Sequence, residues 1–186
     1  MPICHEHKCT FFHIPKTAGI SVCNALGIGE ENIGHSRELV LTSDIVNYFT
    51  FTFVRNPWDR LVSAYCYLMQ GGRNRFDVQD KLKYLGNCSF RECVLRLDDI
   101  REQQHFQYMS YWLPRHVDFV GKFERLQEDF NVVCDRIGLK HIELPHVNRG
   151  LHNDYKSYYD DETWEIVANK YAGDIQRFGY EDYYHF

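Results

Sequence analysis

Long hydrophobic runs are absent from this sequence of 186 residues. Its longest apolar stretches hold only a handful of residues, whereas a membrane-spanning helix needs about 20. The N-terminal segment, residues 1–9, also lacks the apolar core of a signal peptide. We therefore expect a cytoplasmic protein without a membrane span, and the sequence makes no prediction about its oligomeric state.

A surplus of positive charge is lacking as well. The 21 Lys and Arg residues are outnumbered by 26 Asp and Glu residues, which gives a formal net charge of −5. The whole acidic excess lies in residues 154–186, and residues 1–153 are neutral. Nucleic-acid-binding proteins present a basic surface, so no nucleic-acid partner is predicted. Any anion-binding site must be built locally, from a few placed cations and main-chain amides.

The seven cysteines show no disulfide framework, because they are odd in number and mostly scattered along a chain without an export signal. We expect reduced thiols. Four residues near the N-terminus are potential zinc ligands: Cys4, His5, His7 and Cys9. No second ligand pair follows them at zinc-finger spacing, so no metal site is predicted.

What the sequence does have is a composition typical of one folded domain, residues 1–186, with 44% hydrophobic and 16% aromatic residues. An apolar run at residues 10–14 reads as a buried strand, and a short helix follows the turn after it. Aromatic and β-branched residues alternate over residues 48–54, and Asn56 with Pro57 is a typical helix start. Two strand–turn–helix units predict an α/β fold with a central parallel sheet flanked by helices.

Further elements are predicted downstream. They are a mobile loop at residues 71–75, a helix begun by a Ser89–Glu92 capping box, a strand at 117–120, a helix at 126–137 ended by Gly138, a long loop at 140–158, and one helix from Asp160 or Asp161 to Gly179. The acidic excess then lies on and around the last helix, where we read it as solvated surface.

The turn after the first strand, residues 15–21, has the composition of a phosphate or sulfate site. Its small residues let the main chain approach a ligand closely, and the helix that follows directs unsatisfied amides toward it. Lys16 adds a positive charge, while Thr17 and Ser21 add hydroxyl groups. The segment is not a Walker A loop, because the required Gly and Lys spacing is absent. An ordinary capped turn is the alternative interpretation.

A second candidate segment begins at the end of the aromatic strand. Arg55 follows this strand directly, at the carboxyl edge where parallel sheets bind ligands. Ser63 lies two helical turns further on, with Arg60 one turn before it. A guanidinium together with a hydroxyl suits a second phosphate. For Arg60, a surface ion pair is an equally good interpretation.

These two segments, HIPKTAGIS at residues 13–21 and VRNPWDRLVSAY at residues 54–65, resemble the paired signature of the sulfotransferases that use 3′-phosphoadenosine-5′-phosphosulfate (PAPS). The resemblance is to the carbohydrate-type branch, which includes heparan sulfate 2-O- and chondroitin sulfotransferases and small bacterial members. It continues at residues 123–126, 144–149 and 171–180. It implies a P-loop-NTPase-like sulfotransferase fold, no metal, and an acceptor hydroxyl, most simply that of a carbohydrate.

The resemblance also implies roles for individual residues. The 5′-phosphosulfate loop corresponds to Pro15, Lys16, Thr17, Ala18, Gly19, Ile20 and Ser21. Arg55 and Ser63 match the positions that bind the 3′-phosphate, and Arg149 matches a late basic loop that closes over the cofactor. The chain departs from the family at Ile20, where a Thr is usual, so one hydroxyl contact is missing.

Sulfuryl transfer requires that charge on the leaving phosphate be stabilised, and Lys16 is placed for this role. The acceptor hydroxyl must also lose a proton to a general base. His35 is our candidate, because relatives carry a Gly-His segment near the active site after the first helix. Glu38 is one turn further on and could orient His35 or replace it, whereas His13 is expected to be a buried strand residue.

Two other classes of function remain open from the residues. One is a P-loop-like nucleotide kinase or hydrolase, although the Walker A spacing and an evident magnesium-binding acid are missing. The other is a non-catalytic nucleotide-binding protein. Turnover without magnesium would distinguish the sulfotransferase from the first, and turnover itself from the second.

Overall fold

The computed structural model describes residues 2–29, 32–35, 45–100, 102–145 and 153–183. The chain divides into two compact units. One comprises residues 1–55 and 109–148, and we call it the sheet unit. The other comprises residues 56–108 and 149–186, and we call it the helical unit. That the whole chain acts as a single domain stays a prediction.

The sheet unit contains a four-stranded sheet in the order β1-β2-β3-β4. The strands are β1 (Ile3–Cys4), β2 (Cys9–Phe12), β3 (Phe49–Val54) and β4 (Phe119–Lys122). β2, β3 and β4 are parallel, as predicted, and β2 is buried along its whole length as parallel strands usually are. The two-residue β1, which was not predicted, pairs antiparallel with β2.

Two helices of this unit contribute to the core around the sheet, α1 (Gly19–Ala25) and α5 (Leu126–Ile137). Phe11, Phe51 and Phe53 of the strands form one buried cluster with Val22 of α1 and Phe130 of α5. Helix α5 ends at Gly138, as predicted. The described residues of this unit also form two short 3-10 helices, Met109–Trp112 and Phe123–Arg125. The α/β class with a mostly parallel central sheet is thus confirmed.

The described residues of the helical unit form α-helices and short helical turns. Its α-helices are α2 (Pro57–Met69), α3 (Arg75–Asp80), α4 (Phe90–Leu95), α6 (Asp161–Lys170) and α7 (Ala172–Phe178). A π-helical turn (Lys81–Leu85) follows α3, and 3-10 turns occupy Gln104–Phe106, Tyr155–Tyr158 and Glu181–Tyr183. Within the described ranges, none of the helices has the length and apolar character that a membrane crossing requires.

Local capping signals account for most helix starts. The Asn56 side chain accepts hydrogen bonds from the N–H groups of Trp58 and Asp59, with Pro57 in the first turn. Ser89 and Glu92 form the predicted reciprocal capping box of α4. The loop predicted at residues 71–75 is shorter than expected, since Asn74 already caps α3 and Arg75 is its first residue.

The predicted C-terminal helix is two helices instead of one. Asp160 caps α6 and Gly179 ends α7, both at predicted positions, but the chain turns at Tyr171. The hydroxyl of Tyr171 is buried and donates to the main-chain oxygen of Phe106 at 2.7 Å. Gly173, a poor helix former, lies in the first turn after this break.

Candidate active site

The loop that follows β2 is strained where the sequence predicts an anion site. Lys16 and Ala18 have φ angles of 71° and 65°, in the left-handed region that favours glycine. The Thr17 hydroxyl is fully buried and donates to the main-chain oxygen of Ile14 at 2.9 Å. This buried bond joins Thr17 to the end of the preceding segment and stabilises the turn. Backbone strain of this kind clusters at ligand-binding loops.

Gly19 has a packing role that the sequence did not reveal. A Cβ atom at this position would lie 1.9 Å from the imidazole ring of His13, so no other residue fits without displacing that ring. His13 is buried, as predicted, although β2 ends one residue before it. The glycine therefore allows the turn to pack on His13, in addition to any close approach to a ligand. Pro15 is buried beside it, and Ala18 and Ile20 are half-buried.

Arg55 joins the two predicted anion segments. It lies directly after β3 and is 7% exposed, and its Nη1 atom donates to the main-chain oxygen of Lys16 at 3.1 Å. Its Cζ atom lies 4.0 Å from the ring centroid of Phe123. The carboxyl edge of the sheet thus brings together a loop and an arginine that are 39 residues apart in the sequence.

Two serines predicted to bind the cofactor are buried residues. Ser21 in α1 is 4% exposed, and Ser63 in α2 of the helical unit is 7% exposed. Neither serine hydroxyl is among the fully buried polar atoms that lack a hydrogen-bond partner in the described residues.

His35 is held in the tautomer that a base requires. Its Nδ1 atom lies 3.0 Å from the main-chain oxygen of His13, which can only accept. Nδ1 of the neutral ring therefore carries the proton, and Nε2 keeps its lone pair. The ring also packs against two others, with centroids 4.2 Å from that of His13 and 5.7 Å from that of Trp112.

Arg60 is buried and does not lie at the surface of α2. It is 2% exposed, and its Nη2 atom donates to the main-chain oxygens of His105 and Gln107 at 3.2 and 2.9 Å. Together with the bond from Tyr171 to Phe106, three consecutive carbonyl groups are satisfied by side chains. The predicted surface location of Arg60 was wrong, because its partners come from a segment 45 residues away that no local pattern reveals.

Two of the residues considered for the site, Glu38 and Arg149, fall outside the described residues. The described part of the chain contains no group of three or more His, Cys, Asp and Glu side chains that could hold a metal ion. Cys4 and Cys9 face each other across β1 and β2, and burial raises the pKa of the Cys9 thiol to about 12. None of the seven cysteines, all of which are described, forms a disulfide.

Comparison with known proteins identifies the family of the chain that carries these site residues. The sulfotransferase family matches the chain over residues 1–181. The chain belongs to the sulfotransferase family. With the mostly parallel sheet and the loop after β2, this membership confirms a P-loop-like sulfotransferase fold. No solved structure is significantly similar to the chain.

Individual relatives are 25–33% identical to the chain over the aligned residues. Carbohydrate sulfotransferase 14 of Danio rerio is 25% identical over 94% of the chain, and carbohydrate sulfotransferase 11 of Mus musculus is 30% identical over 53%. An uncharacterised protein of Archaeoglobus fulgidus is 33% identical over 59%. The chain spans 60% of the length of the zebrafish protein and 36% of that of the mouse protein.

Proposed function

We propose that the protein transfers a sulfuryl group from PAPS to a hydroxyl group of a carbohydrate acceptor. The observation that carries this proposal is the hydrogen bond from Arg55 to the main chain of Lys16, which unites the two motif segments in a chain of the sulfotransferase family. The acceptor class is suggested by two relatives, which are named carbohydrate sulfotransferases.

The described residues suit a donor with two anionic ends. Lys16, Gly19 and Ser21 would contact the 5′-phosphosulfate, and Arg55 the 3′-phosphate. The position of Ser21 in the first turn of α1 and the placement of Arg55 at the sheet edge support these assignments. The hydroxyl proton of Thr17 is committed to Ile14, so we assign Thr17 a contribution through the main chain.

Three further assignments rest on the family resemblance. Ser63, a buried residue of α2, would be a second ligand of the 3′-phosphate. Arg149 would close over the cofactor. Because Lys16 and Arg55 provide positive charge for the donor, we propose that transfer needs no metal, and we keep the cytoplasm as the proposed location.

The chemistry assigned to the chain is charge stabilisation and proton transfer. PAPS, when bound, supplies an activated sulfuryl group with a phosphate as leaving group. The Lys16 ammonium stabilises the charge that develops on the phosphate oxygen as its bond to sulfur breaks. Nε2 of His35 takes the proton of the acceptor hydroxyl as the new oxygen–sulfur bond forms. The His13 carbonyl keeps Nδ1–H oriented and stabilises the resulting imidazolium.

The decisive experiment is a product assay. The purified protein is offered PAPS labelled with ³⁵S, together with a panel of sugar, phenol and lipid acceptors, and products are identified by mass spectrometry. We expect a sulfated carbohydrate, formed equally well in the presence of EDTA. A protein that hydrolyses ATP with magnesium and sulfates nothing would instead be a nucleotide hydrolase.

A further inference from the structure

The ring of Phe123 lies against a guanidinium to which the proposed function gives a ligand-binding role. Its centroid is 4.0 Å from Cζ of Arg55, well within the range of a cation–π contact. Arg55 is only 7% exposed, and burial strengthens such contacts because water no longer screens them. Phe123 is not among the site residues predicted from the sequence.

The register of the sheet accounts for this contact. Val54 and Lys122 are the last residues of β3 and β4, and they pair with each other. Arg55 and Phe123 are the next residues along the two parallel strands, so their side chains leave the same edge of the sheet as neighbours. The position of Phe123 is therefore set by strand pairing and not by a flexible loop.

The turn that carries Phe123 is fixed from behind by Asp129. One carboxylate oxygen of Asp129 accepts from the N–H of Lys122 at 2.6 Å, and the other lies 3.4 Å from Nη2 of Arg125. Asp129 is itself 7% exposed. These bonds hold both ends of the short 3-10 turn. The Phe123 ring is therefore held in a fixed position against the Arg55 guanidinium.

The contact with Phe123 does not block the N–H donors at the rim of the Arg55 guanidinium. A guanidinium is planar, with its five N–H donors around the rim and none on the face. Phe123 occupies the face, while one donor on the rim reaches the main-chain oxygen of Lys16. A stacked arginine can thus bind a carbonyl and an anion with the same group, in an orientation fixed before the anion arrives.

We propose that Phe123 is a positioning residue that makes nucleotide binding selective for the 3′-phosphate. It does so by holding Arg55 in its binding orientation, and this inference rests on the proposed function, in which Arg55 binds that phosphate. Without the ring, Arg55 gains rotamer freedom that must be lost again when the phosphate binds. Nucleotides without a 3′-phosphate do not need that ordering and are unaffected.

The test compares two nucleotides that differ only at the 3′ position, 3′-phosphoadenosine 5′-phosphate (PAP) and AMP. Their affinities are measured by calorimetry, with AMP in displacement titrations. F123L is expected to weaken PAP roughly tenfold, in the range of a buried cation–π contact, and AMP by less than about twofold. F123Y, which keeps the ring, is expected to restore the affinity for PAP.

Two controls separate a specific effect from general damage. F119L makes the same change in a half-buried ring at the other end of β4 and is expected to alter neither affinity. In the R55A background, F123L is expected to have no further effect on PAP, since its route through Arg55 is gone. F123M, which keeps more of the side-chain volume, replaces F123L in both tests if the leucine variant melts early.

Three results would contradict the proposal. They are unchanged affinity for PAP in F123L and F123M, equal weakening of PAP and AMP, and an effect of F123L that persists in R55A. A wild-type protein that binds neither nucleotide would instead overturn the proposed function, and the role of Phe123 with it. Nucleotide binding by the wild-type protein therefore distinguishes failure of the proposed function from failure of the role proposed for Phe123.

Discussion

The Nδ1 atom of His35 lies 3.0 Å from the main-chain oxygen of His13, one residue before the end of the apolar run that leads into the loop. This contact connects the proposed base to the segment that carries the loop at residues 15–21. The ring of His13 in turn packs where a side chain at Gly19 would have to be. The base and the loop are thus held by the same residue.

Replacing His35 should reduce turnover without weakening donor binding. We expect H35A to lower kcat by about 10²- to 10⁴-fold, as loss of a general base commonly does, with the calorimetric affinity for PAP unchanged. H35N keeps an N–H group near His13 but has no basic nitrogen, so it should be as slow as H35A. H141A, at an exposed histidine, is the control. Wild-type turnover in H35N would assign the base to another residue.

Lys16 allows charge and backbone strain to be separated. K16A and K16G both remove the ammonium, and we expect each to lower kcat by about 10²-fold or more. At a φ of 71° glycine is unstrained, so K16G should unfold at a higher temperature than K16A. Steady-state kinetics and thermal melts measure the two effects. Substantial turnover in either variant would rule out the proposed leaving-group role.

Gly19 and Gly173 make a matched pair for stability. G19A places a methyl group 1.9 Å from the His13 ring, and we expect it to cost about 1–3 kcal/mol in the free energy of unfolding. G173A, in α7 with no atom within 4 Å, should instead be neutral or stabilise by up to about 1 kcal/mol. Urea denaturation of the two variants distinguishes them. Equal effects would show that His13 moves aside without cost.

Arg60 should matter for stability and not for nucleotide binding. R60M leaves the carbonyl groups of His105 and Gln107 without their donors, and we expect a loss of about 2–4 kcal/mol. Y171F removes the single neighbouring bond to Phe106 and should cost about 1 kcal/mol. PAP affinity at low temperature, where both variants are folded, should equal that of the wild type. A large drop in R60M alone would restore Arg60 as a phosphate ligand.

The buried thiols of the sheet unit predict a loss of stability at high pH. Burial raises the pKa of Cys9 and of Cys23 from 9.0 to about 12. The unfolded chain then loses these protons first, so their stabilising contribution is complete below pH 9 and is lost as the pH rises from 9 to 12. Each thiol contributes a slope of up to about 1.4 kcal/mol per pH unit. C9A should show a shallower decline than the wild type in urea titrations at pH 8 to 10.5, and parallel curves would contradict this.

Predictions from sequence succeeded where the signal was local. Asn56 and Ser89 cap their helices through residues two or three positions away, so the pattern alone located them. The antiparallel β1 was missed because two residues are too few for any periodicity. Tyr171 was placed inside one helix because its hydrogen bond to Phe106, 65 residues away, leaves no trace in the spacing of apolar residues.

The same division holds at the site. The motifs predicted that Lys16 and Arg55 serve one cofactor, but the bond between them depends on the pairing of β2 with β3. Phe123 was part of a resembling segment without an assigned role, because its contact with Arg55 depends on the register of β3 and β4. The tautomer of His35 is set by a carbonyl group, which every residue has and which no sequence pattern can single out.

The left-handed backbone at Lys16 sets two goals of protein engineering against each other. A library of variants sorted for heat resistance would enrich glycine at this position, because glycine accepts a φ of 71° without penalty. The same substitution deletes the one ammonium in the loop at residues 15–21. A thermostable version of this protein should therefore be sought in residues outside that loop, with the lysine codon held fixed throughout the selection.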